Sequence, residues 1–151
     1  MKTTLLLSGS REGIDYNTVA RHLSIMISDL VEKEFTEILV KHGAAEGVDS
    51  HGSEFINKTE ETFKVHGIII KQKPYPVLRK DWYTHDNDCQ HKKYPNNYCP
   101  AAGIRRNKRM VDEGIDYLLA LVHNNSRGTT QCISYVRQKG IPEDHIKIIR
   151  S

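Results

Sequence analysis

A chain of 151 residues, 38% hydrophobic and 27% charged, fits one globular domain with an ordinary core. Its net charge of +3, with eight histidines uncounted, is too mild for a surface that grips long duplex DNA, and three cysteines are too few for a disulfide scaffold. The only apolar run near the start, Leu5-Leu6-Leu7, is too short for a signal peptide or a membrane span, so a soluble, cytosolic protein without membrane contact is expected.

Thr3 to Leu7 is a β-prone run that ends at Ser8-Gly9-Ser10-Arg11, followed by a loop through Asp15 and Asn17. Val19, Leu23, Ile27, Leu30 and Val31 recur at helical spacing and predict a helix from about Thr18 to Lys33. Glu37 to Val40 reads as a second strand running into His42-Gly43-Ala44-Ala45-Glu46-Gly47-Val48-Asp49. A second helix is expected from near Ser50, capped by Asp49 or Ser50, to just before Gly67. Ile68 to Lys71 is a third strand, stopped by Pro74 and Pro76, and residues 73–100 form a long insertion. A basic helix closing at Gly114, a strand at Tyr117 to Val122, the loop His123 to Thr130, a helix through Ile133, Val136 and Arg137 that Gly140 caps, and a last strand at Ile146 to Ile149 complete the chain.

This alternation predicts an α/β, Rossmann-like three-layer fold. Its five-stranded, mainly parallel sheet would carry helices on both faces and a long insertion after the third strand, all in one domain over 1–151. Right-handed crossovers bring every strand-to-helix loop to one edge of such a sheet, where open α/β folds bind ligands. Ser8-Gly9-Ser10 and Ser126-Arg127-Gly128-Thr129-Thr130 combine small residues, hydroxyls and a cation, which lets backbone N–H groups approach an oxyanion. Neither is a dinucleotide fingerprint or a Walker loop, and each could be a plain turn. Arg105, Arg106, Lys108 and Arg109 lie early in a helix, where the macrodipole disfavours positive charge unless an anion is present. They could also be a solvated basic face. Convergence of these three stretches on one edge points to a nucleotide-sized anion.

At these positions the chain resembles a known family. Gly9-Ser10-Arg11, Asp15, His42-Gly43-Ala44 with Gly47-Val48-Asp49, Asp81-Trp82, Ala102-Gly103, Arg106-Asn107 with Met110, Asp116 and Gly128-Thr129 occur in the order seen in the SLOG superfamily. Within it they are most similar to the small YspA-related, YpsA-like branch of bacteria and their phages. The resemblance covers nearly the whole chain and implies a Rossmann-like domain that binds nucleotides or nucleotide-derived ligands, usually as a homo-oligomer, a dimer or higher.

It implies less about catalysis. The superfamily's cytokinin-activating members, the LOG-type phosphoribohydrolases, carry Pro-Gly-Gly-x-Gly-Thr-x-x-Glu, whose Glu helps cleave an N-glycosidic bond. Here the segment reads His123-Asn-Asn-Ser-Arg-Gly-Thr-Thr-Gln-Cys132, without the Pro-Gly-Gly and with Cys132 at the acid position. Cleavage of an N-glycosidic bond needs a carboxylate. Asp49 and Asp81 are the catalytic candidates, with Glu46 a weaker one. Their ordinary uses are a helix cap for Asp49 and solvated loop acids for the other two.

Two functional classes follow. One is a non-catalytic module that senses or sequesters a nucleotide-derived signal, such as an ADP-ribose, cyclic ADP-ribose or cyclic nucleotide, including a phage-encoded anti-defence sponge. The other is a hydrolase of nucleoside monophosphates. In the binding reading Gly9, Ser10 and Arg11 hold one phosphate, Arg106 and Asn107 a second phosphate or a ribose hydroxyl, and Gly128, Thr129 and Thr130 form a facing N–H cradle. His42 and Gly43 are ligand-binding candidates as well, Asp49 accepts from ribose hydroxyls, and Trp82 stacks on a base. No cofactor is required. His85, Cys89, His91 and Cys99 in the insertion are a candidate structural zinc set, although their spacing is not that of a Cys-x-x-Cys knuckle. Single-stranded nucleic acid, served by Tyr75, Trp82, Tyr83, Tyr94 and Tyr98, is the minor alternative.

Overall fold

The computed structural model describes residues 1–78 and 101–151. Its elements are β1 (Lys2–Gly9), α1 (Tyr16–Glu32), β2 (Glu37–His42), α2 (Val48–Val65), β3 (Ile69–Pro74), α3 (Ala102–Asp112), β4 (Tyr117–Val122), α4 (Arg127–Gln138), a short 3₁₀ turn (Glu143–His145) and β5 (Ile146–Arg150). The five strands form one sheet in the order β3-β2-β1-β4-β5. Every pairing is parallel, so the sheet is wholly parallel rather than mainly so.

Strand side chains alternate between faces, and the leucine-rich strands use both. Leu5 and Leu7 of β1, with Leu119 and Leu121 of β4, pack on one side with Val19, Leu23 and Ile27 of α1 and Phe55 and Ile56 of α2. Leu6, with Leu118, Ala120 and Val122, packs on the other with Met110 and Val111 of α3 and Cys132, Ile133 and Val136 of α4. The result is three layers, as the alternation of strand and helix signals predicts.

Element ends depart from the sequence expectations for local reasons. Helix α1 begins two residues early because the Asp15 side chain accepts from the Thr18 N–H at 2.8 Å and caps it. Strand β3 runs on to Pro74, which pairs in register with His42. Proline is tolerated there because β3 is an edge strand, with no further partner for the missing N–H. Helix α2 starts at Val48 with Gly47 as its cap, so neither Asp49 nor Ser50 caps it. Gly47 has φ 79°, and a Cβ there would meet the Ser10 and Arg11 carbonyl oxygens, so only glycine fits. Residues 127–130 form the first turn of α4 rather than a loop.

The other face of the sheet is secured by a buried lysine. Lys41 Nζ donates to the Met110 and Gly114 carbonyls at 3.2 and 2.7 Å, which places a cation at the C-terminus of α3, where the macrodipole favours it. That leaves the N-terminus of α3 at the edge where the strands end. No helix among the described residues is long and apolar enough to cross a membrane.

Candidate functional site

The chain reverses direction along the sheet between β1 and β4, the strands from which the crossovers wind outward in opposite senses. Open α/β sheets place their ligand crevice at the carboxyl ends of such strands. A cleft of about 640 Å³ lies there. Its floor is the end of β1, through Leu7, Ser8 and Gly9. One wall is the segment from Gly43 to Asp49, and the opposite wall is the start of α4, from Ser126 to Thr129. The start of α3, with Gly103, Arg106 and Asn107, closes the side.

The Gly43 to Asp49 wall is built by side chains that turn back on their own backbone. Asp49 Oδ2 accepts from the Gly43 and Ala45 N–H groups at 3.0 and 3.3 Å. His42 Nδ1 accepts from the Ala44 N–H at 3.0 Å, so the neutral ring carries its proton on Nε2 and donates to Gln72 Oε1 at 3.0 Å. These bonds hold Ala44 at φ 53°, a conformation costly for alanine without such support. Arg106 then clamps the wall from α3. Its Nη1 donates to the carbonyls of Gly43 and Tyr75, and its Nε donates to Asn107 Oδ1 at 2.9 Å. A Cβ on Gly43 would run into the Arg106 guanidinium, which would have to shift to make room for it.

Asp49 and Arg106 are both only 6% exposed. Burial raises the Asp49 carboxyl above its ordinary value, opposed by His42, the Ala45 N–H, Arg106 and the Gly43 N–H. Burial also pulls the Arg106 guanidinium down, with Asp49 opposing. Asp49 Oδ1, unlike Oδ2, is buried without a hydrogen-bond partner among the described residues.

The α4 wall is different. No side chain caps Ser126 at the helix N-terminus; the hydroxyls of Ser126 and Thr129 face each other at 3.4 Å. The first-turn N–H groups therefore present the positive end of the helix dipole beside the cleft. Arg11 and Arg127 are exposed and line the cleft, and Lys108 joins them from α3. Cys132 lies beneath, its thiol pushed up to about 11 by burial, so it stays protonated at neutral pH.

Of the residues singled out from the sequence, Gly9, Arg11, Gly43, Asp49, Arg106, Asn107, Gly128 and Thr129 meet around this cleft. Three others do not line it. The Ser10 hydroxyl accepts from the His123 N–H at 2.8 Å and donates to the His123 carbonyl at 3.4 Å, which ties the β1 and β4 loops together. His42 supports the wall from behind. Thr130 donates to the Ser126 carbonyl at 2.7 Å and borders a shallower depression with Asn125, Gln131 and Arg150. Arg106, expected to hold an anion, is instead engaged with two backbone carbonyls. Asp116 lies at the opposite edge of the sheet, where Oδ2 accepts from the Thr4 N–H at 2.9 Å. Asp81 and Trp82, the zinc candidates His85, Cys89, His91 and Cys99, and the aromatics Tyr83, Tyr94 and Tyr98 lie outside the described residues. Tyr75 is buried against the core.

Ser8, Ala45, Ser126, Gln131 and Tyr135 also line the cleft without having been singled out for a role of their own. Ser8 lies at the end of β1, Ala45 in the loop after β2, and Ser126, Gln131 and Tyr135 at the start and along one side of α4. Neither a protein-family model nor a curated protein matches the sequence.

Proposed function

We propose that the cleft binds a phosphate-bearing, nucleotide-derived ligand and that the protein senses or sequesters that ligand. The observation that carries this reading is the charge of the lining: Arg11, Arg106, Lys108 and Arg127 stand against a single carboxylate, Asp49, among the described lining residues. Together with the uncapped start of α4, this is an electrostatic trap for an anion at the fold's ordinary ligand position. The SLOG resemblance supplies the ligand class: an ADP-ribose, cyclic ADP-ribose or cyclic nucleotide, held by a homo-oligomer whose role in a phage would be to remove a defence signal.

Hydrolysis of a nucleoside monophosphate is the second reading, favoured by the raised carboxyl of Asp49. Glycoside cleavage commonly pairs two carboxyl groups, and the described lining supplies one, with protonated Cys132 where the hydrolases carry Glu. Binding is therefore the better supported. A thermal-shift screen of mono-, di- and cyclic nucleotides and ADP-ribose derivatives tests both, followed by chromatography of the stabilising ligand after incubation. A ligand at about a hundred times its dissociation constant adds roughly 2.7 kcal/mol of stability. The binding reading expects such a ligand to be recovered intact; recovery as free base and sugar phosphate would establish the hydrolase.

A further inference from the structure

Resting on the anion-binding reading, we propose that Asp49 Oδ1 is the acceptor that reads a free sugar hydroxyl of the ligand, making the cleft selective for ribose over deoxyribose phosphates.

The two oxygens of this carboxylate have different tasks. Oδ2 is committed to the Gly43 and Ala45 N–H groups, which fixes the side chain in place. Oδ1 is buried and has no partner among the described residues, on a side chain 6% exposed that lines the cleft. A buried acceptor left unpaired is destabilising, and such atoms are normally paired. The group that completes it belongs to the ligand. An ionised carboxylate repels the negative charge of a phosphate, so the anion is assigned to the opposite wall, at the start of α4 beside Arg127. The part of the ligand facing Asp49 must instead carry a hydrogen-bond donor, and in a sugar phosphate that donor is a hydroxyl.

The substitution Asp49→Asn sharpens the test. The backbone N–H groups of Gly43 and Ala45 require an oxygen at the Oδ2 position, so the amide NH₂ takes the place of Oδ1. The variant keeps the wall and turns the acceptor into a donor.

The experiment is a titration of the ¹⁵N-labelled protein with ribose 5-phosphate, its 2-deoxy and 3-deoxy counterparts, and inorganic phosphate, followed by amide chemical shifts. Wild type should bind ribose 5-phosphate about 10- to 100-fold more tightly than at least one deoxy form, the range expected for leaving a buried acceptor unpaired. In Asp49→Asn that ratio should fall, because a charge-assisted bond to the hydroxyl becomes a neutral one, while inorganic phosphate binds as before. Equal affinity of wild type for all three sugars overturns the inference, and this comparison needs no variant to fold. A ratio unchanged in Asp49→Asn overturns it too, as does binding of inorganic phosphate without any sugar. Failure of all four probes, inorganic phosphate included, removes the anion site itself.

Discussion

The two walls of the cleft treat their polar groups in opposite ways. On the Gly43 to Asp49 side the backbone is answered from within the protein, by Asp49, His42 and the Arg106 guanidinium. On the Ser126 to Thr129 side a helix begins without a side-chain cap, next to exposed arginines. The first wall is a finished piece of structure with one oxygen left over. The second starts without a side-chain cap, and it is where we propose that an anion binds. Substitutions in the first should therefore be read mainly in stability, and substitutions in the second mainly in affinity.

The largest effect is expected for Arg106→Ala. It strips hydrogen bonds from the carbonyls of Gly43 and Tyr75 and leaves Asp49 without its neighbouring cation, for a loss of about 3 kcal/mol in chemical denaturation. A variant of wild-type stability would show that the guanidinium is not the clamp. Gly43→Ala comes next, since the new methyl must displace the guanidinium from the Gly43 carbonyl. Overpacking of this kind costs roughly 1–3 kcal/mol. An unchanged melting temperature would mean that the wall yields.

The pH dependence of the finished wall is smaller and has a definite sign. Asp49 has a folded value raised by burial above the roughly 3.9 of an unfolded aspartate, so between the two the folded protein holds the extra proton. Its contribution to stability is fully present below about pH 4 and is lost as pH rises through the folded value. In urea denaturation, the difference between wild type and Asp49→Asn should shift in favour of the variant from about pH 4 to 7. A constant difference would mean that burial does not strain the ionised form.

How far the sequence anticipated this arrangement depended on the kind of signal. The layers were legible because strand and helix signals alternate along the chain and α1 carries an unbroken helical stripe. The cleft's position followed from topology. Which polar atoms were available did not, because that depends on partners far away in sequence. The Ser10 hydroxyl resembles a phosphate ligand until His123 is seen to use it, 113 residues on. Asp49 resembles a helix cap until its carboxylate is seen to turn back to Gly43 and Ala45. Arg106 looked like an anion ligand for the same reason, since nothing local reveals the carbonyls of Gly43 and Tyr75.

The smallest expected change in stability belongs to the uncapped wall, and it carries the central claim. Arg11 and Arg127 are exposed, so replacing both with alanine should leave the melting temperature nearly unchanged. Calorimetric titration of this double variant and of wild type, using the nucleotide that most stabilises wild type, is the most direct test. The account predicts saturable binding to wild type and affinity at least about 30-fold weaker in the variant, from the loss of two charge-assisted contacts. Equal affinity in the two proteins would contradict it and place the anion elsewhere.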